Sequence, residues 1–494
     1  MKPIRPFYPP LAAAFPVLAI FSANLALFSP HDIWRPLAWA FVIGTALWGV
    51  GSLLRWNIER GAWLGLMAII GVWSAVPVHD RAPGLMYGLF VVLIALGFLK
   101  NPPTLVLNRL ALGLVLASGG MSYYRAHVLH GNGQESKSTV ADISSPPDIV
   151  YVILDGYGRA DQLKRVFGYD NTPFIGELRK RGFFVAENSH SNYCQTLLSL
   201  GATLNLDYIP ALLPNASAKD EAREPMLGLV NDSNAARIAR SHGYQIVAVT
   251  TGFPSLSFEH ADVVLETPPT VTLFESTLLE RLPTPQADEV NISQFVQRRQ
   301  ALESGFANLQ SLAVPAVAPR LVIAHILAPH PPFVFDAQGK PVRPKGNFGY
   351  FDGSDFMSRV GTAAQYAAGY TGQLQWVNQN VLKTVDTLLA SKRPTIVILQ
   401  GDHGSKQKLA QNDLSATDLD ECFSNLQAVH APPALQSQFT DDWTPINTFR
   451  VLFGGLFKEK LPALPSRSYY SPFVHPYDFT DVTNRLTKSV PTPR

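Results

Sequence analysis

Charged residues are sparse over about the first 125 residues of the chain and ordinary in number after them. Long apolar stretches run over residues 11–29, 37–54, 61–78, 82–99 and 104–123. Each stretch has about the length that a helix needs to cross a hydrocarbon layer of roughly 30 Å. This asymmetry is typical of a chain that lipid and water solvate in different parts. The sequence therefore predicts a multi-pass α-helical membrane anchor of about five helices, followed by a soluble part.

The basic residues between these apolar stretches favour one orientation in the membrane. With the N-terminus inside, the cytoplasmic set is Lys2, Arg5, Arg55, Arg60, Lys100 and Arg109, and the outer loops keep Arg35 and Arg81. Short cytoplasmic loops retain Lys and Arg, whereas translocated loops lose them. After five spans the soluble part then lies in the periplasm or the extracellular space. We expect a bacterial inner membrane as the location.

Length and charge set the domain organisation and exclude one class of partner. The 494 residues exceed the usual size of one domain. A polar, turn-rich segment after the last apolar stretch is typical of a linker. We predict a transmembrane domain over residues 1–125, a linker over 126–146 and an extracytoplasmic soluble domain over 147–494. The 40 Lys+Arg and 38 Asp+Glu give a formal charge of +2, which argues against nucleic acid as a partner.

The soluble domain alternates between two kinds of hydrophobic pattern. Continuous β-branched and apolar runs, typical of strands buried on both faces, occupy residues 148–154, 245–250, 321–326 and 395–399. Helical patterns between them occupy residues 173–181, 196–204 and 370–389. This alternation predicts an α/β domain with a mixed or parallel sheet flanked by helices. In such sheets functional residues gather at the carboxyl ends of the strands.

Acidic and imidazole side chains follow these strands at the positions where a site would form. Asp155 closes the first strand, His325 and His330 accompany the strand around Leu321, and Asp402-His403 follow the strand at 395–399. Carboxylates and imidazoles are ligands that Zn²⁺ and Mn²⁺ prefer, and Mg²⁺ accepts the carboxylates. Asp155 alone could cap a turn before a glycine. Two adjacent ligand types after a buried strand favour a site for one divalent metal.

Thr196 is the candidate nucleophile. It opens the helix predicted at residues 196–204, where free backbone N–H groups favour an anion. A metal-bound hydroxyl has a lowered pKa and attacks esters more readily. Two other interpretations stay open: Thr is also a favoured helix cap, and Cys194 could act as the nucleophile in its place.

These residues together resemble the alkaline phosphatase and sulfatase superfamily. The resemblance rests on Asp155, the segment Ser-Asn-Tyr-Cys-Gln-Thr at 191–196, His325, the segment Pro-His-Pro-Pro-Phe at 329–333, and Gly-Asp-His-Gly at 401–404. With its anchor, the chain is most similar to lipoteichoic-acid synthases, phosphoglycerol transferases and lipid A phosphoethanolamine transferases. This resemblance implies an alkaline-phosphatase-like fold in the soluble domain.

The resemblance also implies roles for the motif residues. The metal ligands would be Asp155, Thr196, Asp402 and His403, and the catalytic residues would be Thr196 as nucleophile with His325 and His330 at the substrate phosphate or the leaving oxygen. The implied reaction takes a phosphoglycerol or phosphoethanolamine group from a membrane phospholipid, forms a phospho-threonine, and passes the group to an envelope glycan or lipid. An extracytoplasmic phosphodiesterase, phosphatase or sulfatase-like hydrolase is the alternative, and a non-catalytic envelope-polysaccharide assembly protein is the second.

Two departures from the superfamily narrow this expectation. Sulfatases carry Cys/Ser-x-Pro-x-Arg at the nucleophile, and residues 194–198 here lack both the proline and the arginine. Two-metal members add an Asp-x-x-x-His pair, and no aspartate stands at that spacing before His325 or His330. One metal and phosphoryl chemistry are therefore expected.

Arginine and asparagine side chains are the remaining candidates for contact with the substrate. We expect Arg159, Asn192 and Arg450 in this role, because arginine clamps phosphate oxygens in pairs. Ion pairs within the protein explain such arginines equally well.

Overall fold

The structure is a computed structural model. It describes residues 5–23, 33–55, 57–74, 104–128, 146–250, 256, 258, 260–265, 286–314, 316–344 and 348–487. The chain forms two compact units, one of residues 1–135 with 271–290 and one of residues 136–270 with 291–494. The predicted division into anchor, linker and catalytic domain stays a prediction, and most of the linker lies outside the described residues.

The described helices of the first unit lie in the apolar quarter of the chain. They are α1 (Tyr8–Ala23), α2 (Trp34–Arg55), α3 (Ile58–Ser74) and α4 (Thr104–Val128). Among them, the segment Pro36–Arg55 is long and apolar enough to cross a membrane, and Tyr8–Leu18 and Thr104–Ser118 are shorter apolar helices. The predicted span at 82–99 lies outside the described residues. The multi-pass topology therefore stays a prediction.

A buried asparagine ties α1 to α4 inside this unit. Asn108 Oδ1 accepts hydrogen bonds from the backbone N–H groups of Phe7 and Tyr8 at 2.9 and 3.0 Å, and its Nδ2 donates to Arg5 O at 3.1 Å. The first N–H groups of a helix have no partner within the helix. The Asn108 side chain supplies the acceptor that they need in an apolar surrounding.

The second unit holds strands and helices in alternation. Its strands are β1 (Asp148–Leu154), β2 (Phe184–Val185), β3 (Gln245–Val249), β4 (Val263–Leu265), β5 (Arg320–Ile326), β6 (Thr395–Gly401), β7 (Gln427–His430), β8 (Tyr469–Tyr470) and β9 (Thr480–Asp481). Its helices are α5 (Ala160–Phe167), α6 (Thr172–Lys180), α7 (Thr196–Asn205), α8 (Ile209–Leu212), α9 (Glu224–Asn231), α10 (Asn234–Ser241), α11 (Gln286–Ser311, which begins in the first unit), α12 (Gly353–Arg359), α13 (Ala363–Leu389), α14 (Leu419–Phe423), α15 (Pro433–Gln436) and α16 (Thr448–Phe457). Short 3₁₀ turns occupy Leu414–Ala416, Pro445–Asn447 and Thr483–Arg485.

Seven strands form one mixed sheet in the order β2-β7-β6-β1-β5-β3-β4. The five strands from β6 to β4 are parallel, and β7 and β2 add antiparallel pairs at one side. All four strands predicted from apolar runs are present, as are the predicted helices α6, α7 and α13. The sheet flanked by helices confirms the α/β prediction for this unit.

The core explains why the central strands lack polar alternation. Every residue of β1 and β5 is buried. On one face Tyr151 packs edge-on against Phe449 of α16 with ring centroids 5.1 Å apart, in a cluster that also holds Leu200 of α7. On the other face α13 contacts β6. A strand covered by helices on both faces must be apolar throughout.

Register brings the site residues to one edge of this sheet. Leu154 of β1 lies opposite Gly401 of β6, and Ile153 lies opposite His325 of β5. Asp155 and Asp402 therefore directly follow two neighbouring parallel strands, β1 and β6. His325 lies near the end of β5, on the other side of β1.

Candidate active site

A tight turn after β1 positions Asp155. The Asp155 N–H donates to Ile326 O at 3.0 Å, which continues the pairing with β5 by one residue. Gly156 then adopts φ +71°, a left-handed conformation that glycine accepts without strain. Its N–H donates to Asp402 Oδ1 at 2.9 Å. The turn after β1 is thus fixed by the carboxylate that follows β6.

His403 presents its Nε2 atom to this cluster. Its Nδ1 lies 2.9 Å from Gly404 O, and a carbonyl oxygen only accepts, so Nδ1 carries the proton and Nε2 is bare. Nε2 lies 3.1 Å from Asp402 Oδ2 and 3.6 Å from Asp155 Oδ1. Burial lowers the pKa of His403 and favours the neutral ring, the form that binds a metal.

Thr196 reaches the same cluster from α7. It is the first residue of that helix, and the cap position belongs to Gln195. Its Oγ1 lies 3.2 Å from His403 Nε2 and 3.5 Å from Asp155 Oδ2. One turn further on, Ser199 Oγ donates to Asp402 O at 2.6 Å and holds the helix against the β6 loop. The threonine hydroxyl therefore faces the acids and imidazoles and does not cap the helix.

His325 lies within β5 and faces Asp155. Its Nε2 is 2.9 Å from Asp155 Oδ2, and both side chains are about 1% exposed. Among the described residues its Nδ1 atom has no hydrogen-bond partner. His325 therefore orients the Asp155 carboxylate and has a free ring nitrogen.

Three buried polar atoms of this cluster have no hydrogen-bond partner in the described part of the chain: Asp155 Oδ1, Asp402 Oδ2 and His325 Nδ1. Candidate ligand atoms of these three residues all lie within 4.8 Å of one another. Burial alone would raise the pKa of Asp155, but His330, His325 and His403 hold it below its usual range, so the carboxylate stays ionised. Buried carboxylates without partners are costly unless a cation joins them. The residues present fit a divalent metal.

All four predicted ligands meet here, since Asp155, Thr196, Asp402 and His403 are linked by the distances above. Their role as ligands remains a proposal. The geometry adds His325 as a further ligand candidate, which we expected only as a catalytic residue.

His330 belongs to a neighbouring group of charges. Its N–H donates to Asp155 O at 3.1 Å, and its Nε2 lies 3.3 Å from Asp352 Oδ2. Lys406 Nζ lies 3.2 Å from the same Asp352 oxygen. Burial would lower the pKa of His330, but Asp155 and Asp352 raise it; burial would also lower the pKa of Lys406, but the nearby carboxylates raise it. Both side chains therefore favour the cationic form.

Sequence reasoning missed Asp352 and Lys406. Lys406 stands three residues after His403, and this proximity to the Gly-Asp-His-Gly motif was the one available signal. Asp352 comes from a loop between β5 and α12 that no strand pattern marks. A third missed residue, Arg298 of α11, is fully buried beside the loop that carries His330.

The three residues predicted to contact the substrate have hydrogen bonds to other parts of the protein. Arg159 donates from Nε and Nη2 to both oxygens of Asp161 and from Nη1 to Ser189 O. Asn192 bonds the backbone of Ile446 and Arg467, and Arg450 bonds the carbonyl groups of Leu206 and Pro462. The described contacts give none of the three a bond to the cluster. Their contact with substrate stays a prediction without support from this geometry.

Cys194 is poorly suited to nucleophilic attack. It is 2% exposed, and burial raises the pKa of its thiol to about 11. Cys194 and Cys422 are both free and buried. A protonated thiol is a weak nucleophile.

The α/β sheet collects carboxylate, imidazole and hydroxyl groups at the carboxyl edge of its parallel strands, as the resemblance to the alkaline phosphatase and sulfatase superfamily implies. The profile of the Sulfatase family matches residues 147–421, more than half of the chain. The chain therefore belongs to the Sulfatase family. No curated protein matches the sequence.

Solved structures similar to the chain include both transferases and a sulfatase. The C-terminal periplasmic domain of EcEptC from Escherichia coli, in complex with Zn, is 12% identical with TM-score 0.44, over 69% of this chain and 94% of that one. The integral membrane protein lipooligosaccharide phosphoethanolamine transferase A (EptA) from Neisseria meningitidis is 12% identical with TM-score 0.42, over 90% and 78%. A 2-O GAG sulfatase is 14% identical with TM-score 0.40, over 66% and 77%.

Proposed function

We propose that the chain is a metal-dependent phosphotransferase of the cell envelope. It moves a phosphoglycerol or phosphoethanolamine group from a phospholipid to an envelope glycan or lipid, through a phospho-threonine at Thr196. The observation that carries the proposal is the position of Thr196 Oγ1, which lies 3.2 Å from His403 Nε2 at the start of α7 and does not cap that helix. A hydroxyl held among ionised carboxylates and a bare imidazole nitrogen is placed for nucleophilic attack.

The proposed chemistry follows from the side chains around Thr196. One divalent cation bound by Asp155, Thr196, Asp402 and His403 would polarise a phosphoryl oxygen and favour the deprotonated threonine. Carboxylate, imidazole and hydroxyl ligands suit Zn²⁺ or Mn²⁺, and Mg²⁺ less well. A single ion is proposed because no aspartate stands at the Asp-x-x-x-His spacing before His325 or His330.

The residues of the chain then carry the transfer in two balanced steps. Thr196 releases its hydroxyl proton to water, and Oγ1 forms a bond to phosphorus while the bond from phosphorus to the diacylglycerol oxygen breaks. His330 donates its Nε2 proton, which faces Asp352 in the free protein, to that leaving oxygen. In the second step an acceptor hydroxyl bonds to phosphorus and gives its proton to His330, while the Oγ1–phosphorus bond breaks and Oγ1 regains a proton from water. Asp352 holds the His330 ring for both transfers.

The anchor fits this reaction if the predicted spans hold it in the membrane, because tethering keeps the site close to a lipid donor at high effective concentration. Localisation in the inner membrane with a periplasmic catalytic domain is part of the proposal. The phosphotransferase is favoured over a sulfatase because residues 194–198 lack the proline and arginine of the sulfatase pattern and Cys194 is a buried thiol.

Intact mass spectrometry of the full-length protein tests the proposal. Detergent-purified protein is incubated with Zn²⁺ or Mn²⁺ and with phosphatidylethanolamine or phosphatidylglycerol. We expect a mass increase equal to one head group, located at Thr196 by peptide fragmentation. Thr196→Ala should give no adduct. Thr203→Ala, on the same helix but bonded to Ser199 O, should react normally.

Other outcomes separate the alternatives. Metal-dependent cleavage of an aryl phosphodiester without transfer from either lipid would favour the hydrolase. A protein that binds the metal but turns over no ester would favour a non-catalytic assembly role.

A further inference from the structure

Arg298 differs from the other buried cations of the second unit. The buried arginine and lysine side chains among the described residues are Arg159, Arg298, Arg320 and Lys406. Three of them have a carboxylate partner: Arg159 pairs with Asp161, Arg320 with Asp148 and Lys406 with Asp352. For Arg298, at 0% exposure, the described part of the chain offers no carboxylate partner. Buried charges are normally paired, because desolvation of a lone charge is costly.

The contacts of Arg298 leave most of its hydrogen-bonding capacity unused. Its Nη2 donates to Leu327 O, and the guanidinium carbon lies 5.3 Å from the ring centroid of Tyr350. Nε and Nη1 are buried, and neither has a hydrogen-bond partner among the described residues. Arginine has five N–H donors and cannot lose its charge at physiological pH. Such a group needs an acceptor with negative charge.

Arg298 lies on the side of the site where His330 is found. Leu327, which accepts its hydrogen bond, is two residues after His325 on the same chain segment. The Tyr350 ring that it contacts has its centroid 6.4 Å from that of His330. His330 in turn bonds Asp155 O through its backbone N–H. The unused donors therefore border the candidate active site.

A charge count indicates the ligand that would satisfy this region. Asp155 and Asp402 carry two negative charges, which one divalent metal would balance. Arg298 and Lys406 carry two positive charges against the single negative charge of Asp352, which leaves one positive charge even with His330 neutral. A phosphate diester is a monoanion with free oxygens, and it matches this excess in charge and in hydrogen-bond acceptors.

We propose that Arg298 is a substrate-binding residue that donates, from nitrogens without a protein partner, to the free oxygens of the ester group that Thr196 attacks. This inference rests on the proposed phosphoryl chemistry and deepens it. The ligand is a tetrahedral oxyanion held between the metal-ligand cluster and α11. In the metal-loaded protein, inorganic phosphate is the simplest probe of that site.

Titration calorimetry with inorganic phosphate and, separately, with sulfate tests the inference on full-length, metal-loaded protein in detergent. We expect Arg298→Met to weaken phosphate binding about tenfold or more at unchanged metal content, measured by elemental analysis. Arg298→Lys keeps the charge and loses donors, so it should recover part of the affinity. Arg320→Met is the matched control, because Arg320 is also buried and also on the second unit but pairs with Asp148 at the other end of β5. It should lower thermal stability and leave phosphate affinity within about twofold.

The outcomes distinguish this inference from the proposed function. Equal phosphate affinity in wild type and Arg298→Met at equal metal content would overturn the anion site, as would no phosphate binding by the wild type. If Arg298→Met fails to fold, Arg298→Lys decides by the same comparison. Sulfate binding tighter than phosphate with the same dependence on Arg298 would support the anion site and count against phosphoryl transfer. Failure of the phospho-threonine experiment leaves the phosphate affinity measurement intact.

Discussion

The two ends of strand β1 carry an aspartate each, and the two carboxylates have opposite surroundings. Asp148 begins the strand and is 1% exposed; Asp155 follows the strand and is 0% exposed. Asp148 accepts from Arg320 through its backbone N–H at 2.8 Å, Nε at 3.1 Å and Nη2 at 2.5 Å. Arg393 Nε approaches it at 3.7 Å. This carboxylate is fully satisfied by the protein.

Among the described residues, no ion pair joins Asp155 to an arginine. Its neighbours are His325, His403 and Thr196, and its Oδ1 has no hydrogen-bond partner in the described chain. Strand β1 thus has a fully hydrogen-bonded ion pair at its start and, at its end, a polar cluster in which some atoms have no hydrogen-bond partner. Burial is nearly equal at the two ends, so burial alone does not distinguish a structural carboxylate from a functional one. The two carboxylates differ in whether an oxygen is left without a hydrogen-bond partner.

The largest expected effect on the transfer rate comes from removing the hydroxyl of Thr196, which lies in the polar cluster at the end of β1. Thr196→Ala should reduce transfer of a lipid head group by roughly 10³-fold or more, as removal of a covalent nucleophile does. Thr196→Ser should keep measurable activity, because it keeps the hydroxyl. The measurement is the initial rate with a labelled phospholipid donor. Retained activity in Thr196→Ala at equal metal content would remove the threonine from the mechanism.

Exchanging the two aspartates for asparagine should give opposite phenotypes. Asp148→Asn leaves Arg320 buried without its counter-charge and should lower the free energy of unfolding by about 3–5 kcal/mol. Asp155→Asn removes a carboxylate whose Oδ1 has no hydrogen-bond partner in the described chain, so the metal-free stability should fall by less than in Asp148→Asn. Its metal affinity should fall by more than the roughly 10- to 100-fold that outer-shell changes cause.

Thermal unfolding and metal titration of both variants check this reversal. If Asp155→Asn destabilised the metal-free protein as strongly as Asp148→Asn, the contrast between the ends of β1 would be wrong. Equal metal affinity in wild type and Asp155→Asn would exclude this residue as a ligand.

His190, which lies outside the cluster, provides a third buried titratable group for this comparison. Its effect should be visible in the pH dependence of the unfolding free energy. His190 lies 3.5 Å from Arg159, and burial together with that positive charge lowers its pKa to about 4, while Asp420 and Asp161 act in the other direction. Its ordinary value is about 6.5. Between pH 6.5 and 4 the unfolded chain binds the proton and the folded chain does not. Stability is therefore lost as the pH falls through this window.

His190→Asn should reduce that loss by about 1–2 kcal/mol at pH 5. The measurement is the unfolding free energy of the metal-free protein at pH 7 and pH 5. Identical pH dependence in variant and wild type would show that His190 is not buried in its neutral form. Activity per folded molecule should change little, since His190 bonds none of the cluster residues among its described contacts.

The central strands were predictable because each is buried on both faces. β1, β5 and β6 each contain a short run of mostly β-branched and apolar residues, the pattern expected of strands buried on both faces. The short strands β2 and β7 were not predicted. They are two and four residues long, β7 runs antiparallel to β6 and β2 antiparallel to β7, and this pairing depends on contacts between distant segments. Local sequence has little information about such pairing.

The site residues also divide into those that the sequence predicts and those that it does not. Asp155 and Asp402-His403 were predictable because they immediately follow buried parallel strands, whose carboxyl ends share one edge. Asp352 and Arg298 were not, because they come from a loop and a helix that tertiary packing brings to that edge. Arg159 is predicted to contact the substrate because arginine can clamp a phosphate with two hydrogen bonds. Its bidentate pairing with Asp161 is a three-dimensional fact that spacing does not reveal.

The smallest expected effect concerns the other candidate nucleophile. Cys194 stands two residues before Thr196, yet its pKa is raised to about 11 by burial, so the thiol stays protonated at neutral pH. Cys194→Ala should keep the transfer rate within about twofold and cost on the order of 1 kcal/mol of stability from the lost packing. Cys422→Ala, in the same apolar cluster, is the matched control for that packing loss. A rate loss in Cys194→Ala as large as that of Thr196→Ala, with Cys422→Ala active, would move the covalent step to the thiol. Of these two residues, only Thr196 faces the polar cluster around Asp155. We therefore expect the transfer rates of Thr196→Ala and Cys194→Ala to differ by roughly three orders of magnitude.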